Sequence, residues 1–96
     1  MSKEEILKTL KEVREEIERK YKAEIEGIFG SYSRGEEKET SDLDILVNFK
    51  KKATLYDLVG LSRFLEEKLK CQVDVVSKRA LRDEIKPYIL KDLIYL

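Results

Sequence analysis

The sequence predicts one mixed α/β (α+β) domain spanning residues 1–96, with a small mixed sheet flanked by helices in the order α-β-β-α-β-α. Three observations support this class. The chain has 96 residues, which is enough for one domain with a single modest core. Apolar residues recur at helical spacing in two long segments. Three short runs of branched apolar residues, separated by polar turns, have the composition of strands.

The N-terminal third predicts a helix followed by a strand. Apolar residues with helical spacing are Ile6, Leu10, Val13, Ile17 and Tyr21. Ser2 and Glu5 have the spacing of a capping box at the start of this helix. The stretch AEIEGIF then predicts a first strand that ends at Gly30.

The second strand, SDLDILVNF, follows a polar loop, YSRGEEKET, with room for one helical turn. Side chains alternate between the two faces of a strand. Asp42 and Asp44 are therefore expected on one face, with Leu43, Ile45 and Val47 on the other face towards the core.

A second long helix is predicted in KKATLYDLVGLSRFLEEKLK, with Thr54 as its N-cap. Its apolar stripe is expected to consist of Leu55, Leu58, Leu61, Leu65 and Leu69. Near the end of the chain, Pro87 is expected in the first turn of a final short helix.

The third strand is predicted in CQVDVVS, with Val73 and Val75 on one face and Asp74 on the other. A β-α-β connection joins parallel strands, so residues 43–77 should contain two parallel strands that are neighbours or nearly so. An unpaired aspartate is costly to bury, so Asp74 should reach a polar rim, pair with a cationic side chain or bind a cation.

The composition excludes several function classes. Lys plus Arg equals Asp plus Glu, at 20 each, so direct nucleic-acid binding through phosphate neutralisation is not expected. The absence of histidine removes Ser-His-Asp and Cys-His catalysis and the usual nitrogen ligands of zinc. Any metal ion would therefore be a hard cation bound by oxygen atoms.

The sequence also indicates where the protein works. A single cysteine, Cys71, rules out an intramolecular disulfide and is typical of a reducing cytosol. The N-terminus is too charged for a signal peptide, and no apolar run reaches membrane-spanning length. We therefore expect a cytoplasmic protein without a membrane partner. The 42% of charged residues is common in proteins of thermophiles.

Asp42, Asp44 and Asp74 can converge if the second and third strands are neighbours. Like charges at close range raise one another's pKa unless a cation compensates them. Mg²⁺ prefers oxygen ligands and is usually completed by substrate phosphates. Carboxylates that hold one or two magnesium ions beside a triphosphate are typical of phosphoryl or nucleotidyl transfer. These three aspartates are therefore the candidate catalytic and metal-binding residues.

The turn before the polar loop predicts a phosphate site. Gly30 allows close approach of the backbone to a ligand. The hydroxyl and nearby amides of Ser31, at the start of a helical turn, can bind phosphate oxygens. Arg34 either adds a charge-assisted hydrogen bond to the triphosphate or pairs with a nearby glutamate of the loop, Glu36 or Glu39.

These motifs resemble a known family. Gly30-Ser31, ten intervening residues and Asp42-x-Asp44 resemble the G-S-x10-D-x-D signature of the DNA polymerase beta nucleotidyltransferase superfamily. The short chain, the SRG after the turn, the aspartate in QVDVV and the ending IKPYILKDLIYL look like the minimal nucleotidyltransferase (MNT) type. The resemblance covers nearly the whole chain and points to MntA-like antitoxins of MNT/HEPN toxin–antitoxin pairs.

The resemblance implies a DNA polymerase beta-like fold and a set of residue roles. Asp42 and Asp44 would bind magnesium, with two ions expected, and Asp74 would be a third ligand or the base. Gly30 and Ser31 would hold the triphosphate of ATP. One departure is Tyr32, which stands where many relatives carry arginine and so implies weaker phosphate binding.

The resemblance also implies an activity and a partner. Such enzymes transfer AMP from ATP to a tyrosine of a HEPN-domain RNase toxin and so silence it. A non-catalytic antitoxin that neutralises its partner by binding alone is the alternative. Transfer to a small molecule or an RNA end is a third reading, which the missing basic patch and the missing acceptor domain disfavour. The sequence leaves the assembly open between homo- and hetero-oligomers.

Overall fold

Four helices and four strands alternate along the chain, and the computed structural model describes all residues from 1 to 96. A 3-10 turn at Lys78–Ala80 follows the third strand. The elements are α1 (Lys3–Tyr21), β1 (Ala23–Phe29), α2 (Ser31–Arg34), β2 (Leu43–Phe49), α3 (Leu55–Leu69), β3 (Val73–Ser77), α4 (Lys86–Asp92) and β4 (Ile94–Tyr95). None of the helices combines the length and the apolar composition needed to cross a membrane.

The two long helices begin where the sequence predicts. In α1 the Ser2 hydroxyl accepts a hydrogen bond from the Glu5 amide, and the Glu5 carboxylate accepts one from the Ser2 amide, both at 3.1 Å. This is the predicted capping box, which satisfies backbone donors that the helix leaves free. In α3 the Asp57 carboxylate accepts a hydrogen bond of 2.9 Å from the amide of the predicted N-cap, Thr54.

The sheet has the strand order β3-β2-β1-β4. Strands β2 and β3 pair in parallel, which confirms the prediction from the β-α-β connection. Strand β1 pairs antiparallel with β2 and with β4. The C-terminal strand β4, at Ile94–Tyr95, was not predicted, because a two-residue strand has no periodicity and forms only through its pairing with Gly27 and Ile28 of β1.

Helices α1 and α3 cover one face of the sheet and form the core with it. The fully buried side chains of this core are Ile6, Leu10, Ile17, Ala23, Ile25, Ile28, Leu43, Ile45, Val47, Leu61, Leu65 and Leu69. One predicted core residue is wrong, because Leu55 is 72% exposed. At 100° per residue, Leu55 is rotated by roughly 80° from the centre of the stripe formed by Leu61, Leu65 and Leu69, so it points away from the sheet.

Candidate active site

Two aspartates lie side by side on the face of the sheet opposite the long helices. Asp44 of β2 and Asp74 of β3 are register partners in the parallel ladder. Register partners share a face, and the neighbours of Asp44 in β2, Leu43 and Ile45, are buried beneath the helices. The fold therefore brings together two of the three predicted carboxylates.

Asp42 lies next to this pair, but not inside the strand as predicted. Strand β2 begins one residue later, at Leu43, because its pairing with β3 starts at Leu43 and Val73. The Leu43 amide donates a 2.9 Å hydrogen bond to the carbonyl of Gln72, which fixes the start of the ladder. Asp42 is exposed at this edge of the sheet, and so is Asp74, which shows that Asp74 has taken the polar rim position.

The electrostatics of the pair centre on Asp44, which is half-buried. Burial, the negative charge of Asp74 and the negative charge of Asp42 together raise the pKa of Asp44 from 3.8 to about 6. A hydrogen bond with Asp74 adds to this effect, and the positive charge of Arg34 opposes it. The site therefore holds negative charge that a bound cation would relieve.

The turn at Gly30 is built around the Asp44 carboxylate. Gly30 has φ 75° and ψ −152°, a backbone conformation that is essentially restricted to glycine. A Cβ atom at this position would stand 2.1 Å from Oδ2 of Asp44. The missing side chain of Gly30 therefore gives the carboxylate its space, and the phosphate approach expected from sequence stays a prediction.

Helix α2 begins at Ser31, directly after this turn. The Gly30 carbonyl accepts hydrogen bonds from the Ser33 amide at 3.1 Å, the Ser33 hydroxyl at 3.0 Å and the Arg34 amide at 3.2 Å. Amides in the first turn of a helix have no acceptor within it. Ser31 therefore presents both a hydroxyl and a backbone donor beside Gly30, which in turn contacts Asp44. Gly35, with φ 72°, ends the turn.

Arg34, the last residue of α2, carries two ion pairs. Its guanidinium contacts the carboxylate of Asp92 in α4 and that of Glu36 at 3.4 Å. The pair with Glu36 is one of the alternatives expected from sequence. Asp92 was missed, because it lies 58 residues away and no local pattern connects it to Arg34. Arg34 is thus near the acidic site and already has anionic partners.

The carboxylates of the site fit magnesium, although they do not form a complete set of ligands by themselves. No group of three His, Cys, Asp or Glu side chains stands in a metal-holding arrangement, so the three aspartates are not a preassembled set of ligands. Magnesium is usually bound by one or two carboxylates, with waters and substrate phosphates completing its octahedron. The adjacent Asp44 and Asp74, with the raised pKa of Asp44, match that requirement.

A polar cavity of about 460 Å³ opens next to the acidic edge. Its wall consists of Tyr32, Glu39, Thr40, Ser41, Lys70, Cys71 and Gln72. Ser41 directly precedes Asp42, so the cavity borders the site although the three aspartates do not line it. Burial raises the pKa of the Tyr32 hydroxyl and of the Cys71 thiol, which keeps both groups neutral at physiological pH.

Known proteins with a similar sequence and fold are nucleotidyltransferases. The family model described as nucleotidyltransferase domain matches residues 10–96. The protein adenylyltransferase MntA of Thermococcus cleftensis is 38% identical over 93 residues, which cover 97% of this chain and 94% of that protein. A solved structure of a minimal nucleotidyltransferase superposes with a TM-score of 0.83 at 36% identity, covering 100% of this chain and 97% of that chain.

A crystal structure of a toxin–antitoxin with AMP-PNP also has a similar fold. It superposes with a TM-score of 0.60 at 27% identity, over 85% of this chain and 61% of that chain. The predicted fold and enzyme class, and the resemblance that led to them, are confirmed by the family model together with the structural similarity. The chain belongs to the nucleotidyltransferase domain family.

Proposed function

We propose that this chain is a cytoplasmic, magnesium-dependent adenylyltransferase that transfers AMP from ATP to a tyrosine of a HEPN-domain toxin and so acts as its antitoxin. The observation that carries the proposal is the pairing of Asp44 with Asp74, beside a turn in which Gly30 leaves space for the Asp44 carboxylate. The similarity to a protein named adenylyltransferase and to a toxin–antitoxin with AMP-PNP supports the choice of nucleotide and of a protein acceptor.

Asp42, Asp44 and Asp74 are the proposed ligands of two magnesium ions. The ions would supply positive charge that offsets the developing charge on the phosphates. The chain's own contribution is to hold Asp44 and Asp74 next to each other before the nucleotide arrives. The ladder between β2 and β3 fixes Asp44 against Asp74, and the turn at Gly30 bounds Asp44 from the other side.

Ser31 and Arg34 are the proposed phosphate-binding side chains. The Ser31 hydroxyl and the first-turn amides of α2 donate to phosphate oxygens beside the carboxylates. The guanidinium of Arg34 exchanges one of its carboxylate partners, Asp92 or Glu36, for a phosphate oxygen. A charge-assisted hydrogen bond of this kind orients the triphosphate as well as binding it.

The transfer itself is a displacement at the α-phosphorus of ATP. The acceptor oxygen forms a bond to the α-phosphorus, and the bond from that phosphorus to the bridging oxygen breaks. Pyrophosphate leaves with the electron pair, and the phenolic proton passes to a carboxylate. Asp74 is the proposed proton acceptor, because it is exposed and therefore within reach of a side chain that a partner presents.

Intact-protein mass spectrometry tests the proposal. The purified chain is mixed with ATP, Mg²⁺ and the HEPN-domain product of a neighbouring gene, and the partner should gain the mass of AMP only when Mg²⁺ is present. The double variant Asp42→Asn/Asp44→Asn should give no gain. The matched control Asp83→Asn removes an exposed carboxylate elsewhere, one whose side chain is 95% exposed, and should transfer as the wild type does.

The same variant separates the proposal from its rival. An antitoxin that acts by contact alone would still neutralise the toxin after Asp42→Asn/Asp44→Asn, because neither substitution removes surface area. Loss of both mass gain and neutralisation in this variant supports catalysis as the cause of neutralisation. Full transfer by the variant would exclude the proposed roles of both aspartates.

A further inference from the structure

Helix α3 has apolar residues both on its buried side and on part of its exposed side. Its buried side carries Leu61, Leu65 and Leu69, which pack on the sheet. Its other side carries Leu55, Tyr56 and Val59, which are 72%, 90% and 45% exposed and are here called the α3 patch. A helix with apolar residues on both sides is expected to be covered on both. The fold covers only one of them.

The α3 patch is concave. Its three residues line a depression of about 320 Å³. A second depression of about 310 Å³ adjoins it through Leu55 and includes the apolar side chains of Phe49, Ala53 and Leu58. The second depression also has Lys50, Thr54, Ser77 and Arg79 in its wall. Two adjacent depressions, one apolar and one apolar in part, can accept the protruding side chains of a helix that lies in a groove.

The surroundings of the α3 patch are basic, although the whole chain has no net charge. The flanking cations, Lys50–Lys52 and Arg63, belong to the same segment, and all are exposed. The only acidic residue between them is Asp57, whose side chain is 13% exposed and binds Lys22 and the Thr54 amide. Lys50 is paired with Glu18 at 2.7 Å, so the excess positive charge of residues 50–63 belongs to Lys51, Lys52 and Arg63.

From this combination we infer that the α3 patch is a docking surface for a protein partner that presents an apolar helical ridge edged by carboxylates. The positively charged rim of the patch favours a partner with carboxylates at the edge of its helix. The two depressions favour a partner with protruding side chains. A second copy of this chain is a poorer fit. In a two-fold contact the same patch meets itself, so the excess positive charge of the two copies would be brought together.

The docking surface is separate from the acidic site. Asp44 lies near the start of β2, whereas the α3 patch lies beyond its end at Phe49. Five residues of extended strand separate these positions by about 16 Å. A partner bound to the patch therefore leaves the carboxylates free for nucleotide and acceptor. The inference does not depend on the proposed transfer reaction, since docking requires no catalysis.

A displayed library of amphipathic helical peptides tests the inference. The apolar positions vary among Leu, Ile, Phe and Met, and the flanking positions vary among Glu, Lys and Ser. Selection of the library for binding to the wild-type chain should enrich Glu at the flanking positions. Selected peptides should lose about tenfold in affinity on Tyr56→Ala, as is usual when an aromatic anchor is removed. No enrichment, or equal enrichment of Lys, would overturn the inference.

Matched variants keep the test specific. Tyr88→Ala removes another tyrosine that is 75% exposed and should leave peptide binding unchanged. Lys51→Glu/Lys52→Glu should weaken binding of the Glu-edged peptides, whereas Lys8→Glu/Lys11→Glu on the exposed side of α1 should not. All of these positions are exposed, and circular dichroism confirms that each variant is folded.

Two further measurements would identify a different occupant of the α3 patch. Sedimentation of the chain alone would reveal self-association, and a dimer that Tyr56→Ala dissociates would assign the patch to a second copy. Flotation with vesicles of phosphatidylglycerol and phosphatidylcholine would reveal membrane binding. Vesicle binding that Tyr56→Ala abolishes would assign the patch to a lipid surface. Either result contradicts docking of an acidic helix.

Discussion

Replacing Gly30 by alanine should destabilise the fold and displace the carboxylate of Asp44. Two separate costs arise. The backbone at φ 75° and ψ −152° lies in a region that alanine rarely adopts, at a cost of about 1–3 kcal/mol. The new Cβ would stand 2.1 Å from Oδ2 of Asp44, and relieving such a clash costs about 1–3 kcal/mol more. The free energy of unfolding should therefore fall by about 2–6 kcal/mol.

Urea denaturation measures this loss, and two comparisons separate its parts. Gly35 has a similar φ of 72° but has no atom within 4 Å of an added Cβ. Gly35→Ala should therefore cost only the backbone strain, about 1–2 kcal/mol. In an Asp44→Ala background the two close contacts of the new Cβ at Gly30 are gone, and the Cβ of residue 44 lies at an ordinary 3.5 Å. The double-mutant cycle should then show a coupling of about 1–3 kcal/mol.

A coupling of zero would refute the reasoning. It would mean that the penalty of Gly30→Ala is entirely backbone strain, and that the turn does not bound the Asp44 carboxylate. A full coupling combined with lost ATP binding would instead place the turn and the carboxylate in one site.

Two further predictions concern charge. Because the pKa of Asp44 is raised from 3.8 to about 6, the folded state holds a proton that the unfolded chain has already released, so stability should fall as pH rises from about 4 to 6. Asp44→Asn should remove this pH dependence. It should also stabilise the metal-free protein at pH 7 by about 1–2 kcal/mol, a figure reduced for the solvent that reaches the side chain. Thermal unfolding measured across pH would show both effects, and an unchanged pH profile would contradict the prediction. Arg34→Ala should weaken ATP binding about tenfold in calorimetry, through loss of a charge-assisted hydrogen bond. Asp92→Asn removes one carboxylate partner of the guanidinium, leaves Glu36 in place and should not weaken ATP binding. Equal losses in both variants would show that the ion pair with Asp92 only supports the fold.

The sequence is sufficient where local rules decide the structure. Ser2 and Glu5 form their capping box because both partners lie in one helical turn. The parallel pairing of β2 with β3 follows from the handed crossover through α3, and it places Asp44 against Asp74. Most of the fold and the neighbourhood of the two aspartates were therefore accessible from pattern and motif.

The sequence is insufficient where distant residues decide. Leu55 has the composition of a core position, but the direction of the sheet beneath α3 leaves it exposed. The two-residue strand β4 exists only through its pairing with β1. The contact of Arg34 with Asp92 joins residues 58 positions apart, and the space that Gly30 leaves for Asp44 is visible only in three dimensions.

We propose that the acidic edge formed by Asp42, Asp44 and Asp74 transfers AMP to a protein. The most direct measurement compares ATP labelled on its α-phosphate with ATP labelled on its γ-phosphate, each incubated with Mg²⁺, the chain and the proposed HEPN-domain partner. The account predicts that only the α-label becomes attached to the partner, and that Asp42→Asn/Asp44→Asn abolishes the labelling. Attachment of the γ-label, or α-labelling that survives the double substitution, would contradict it.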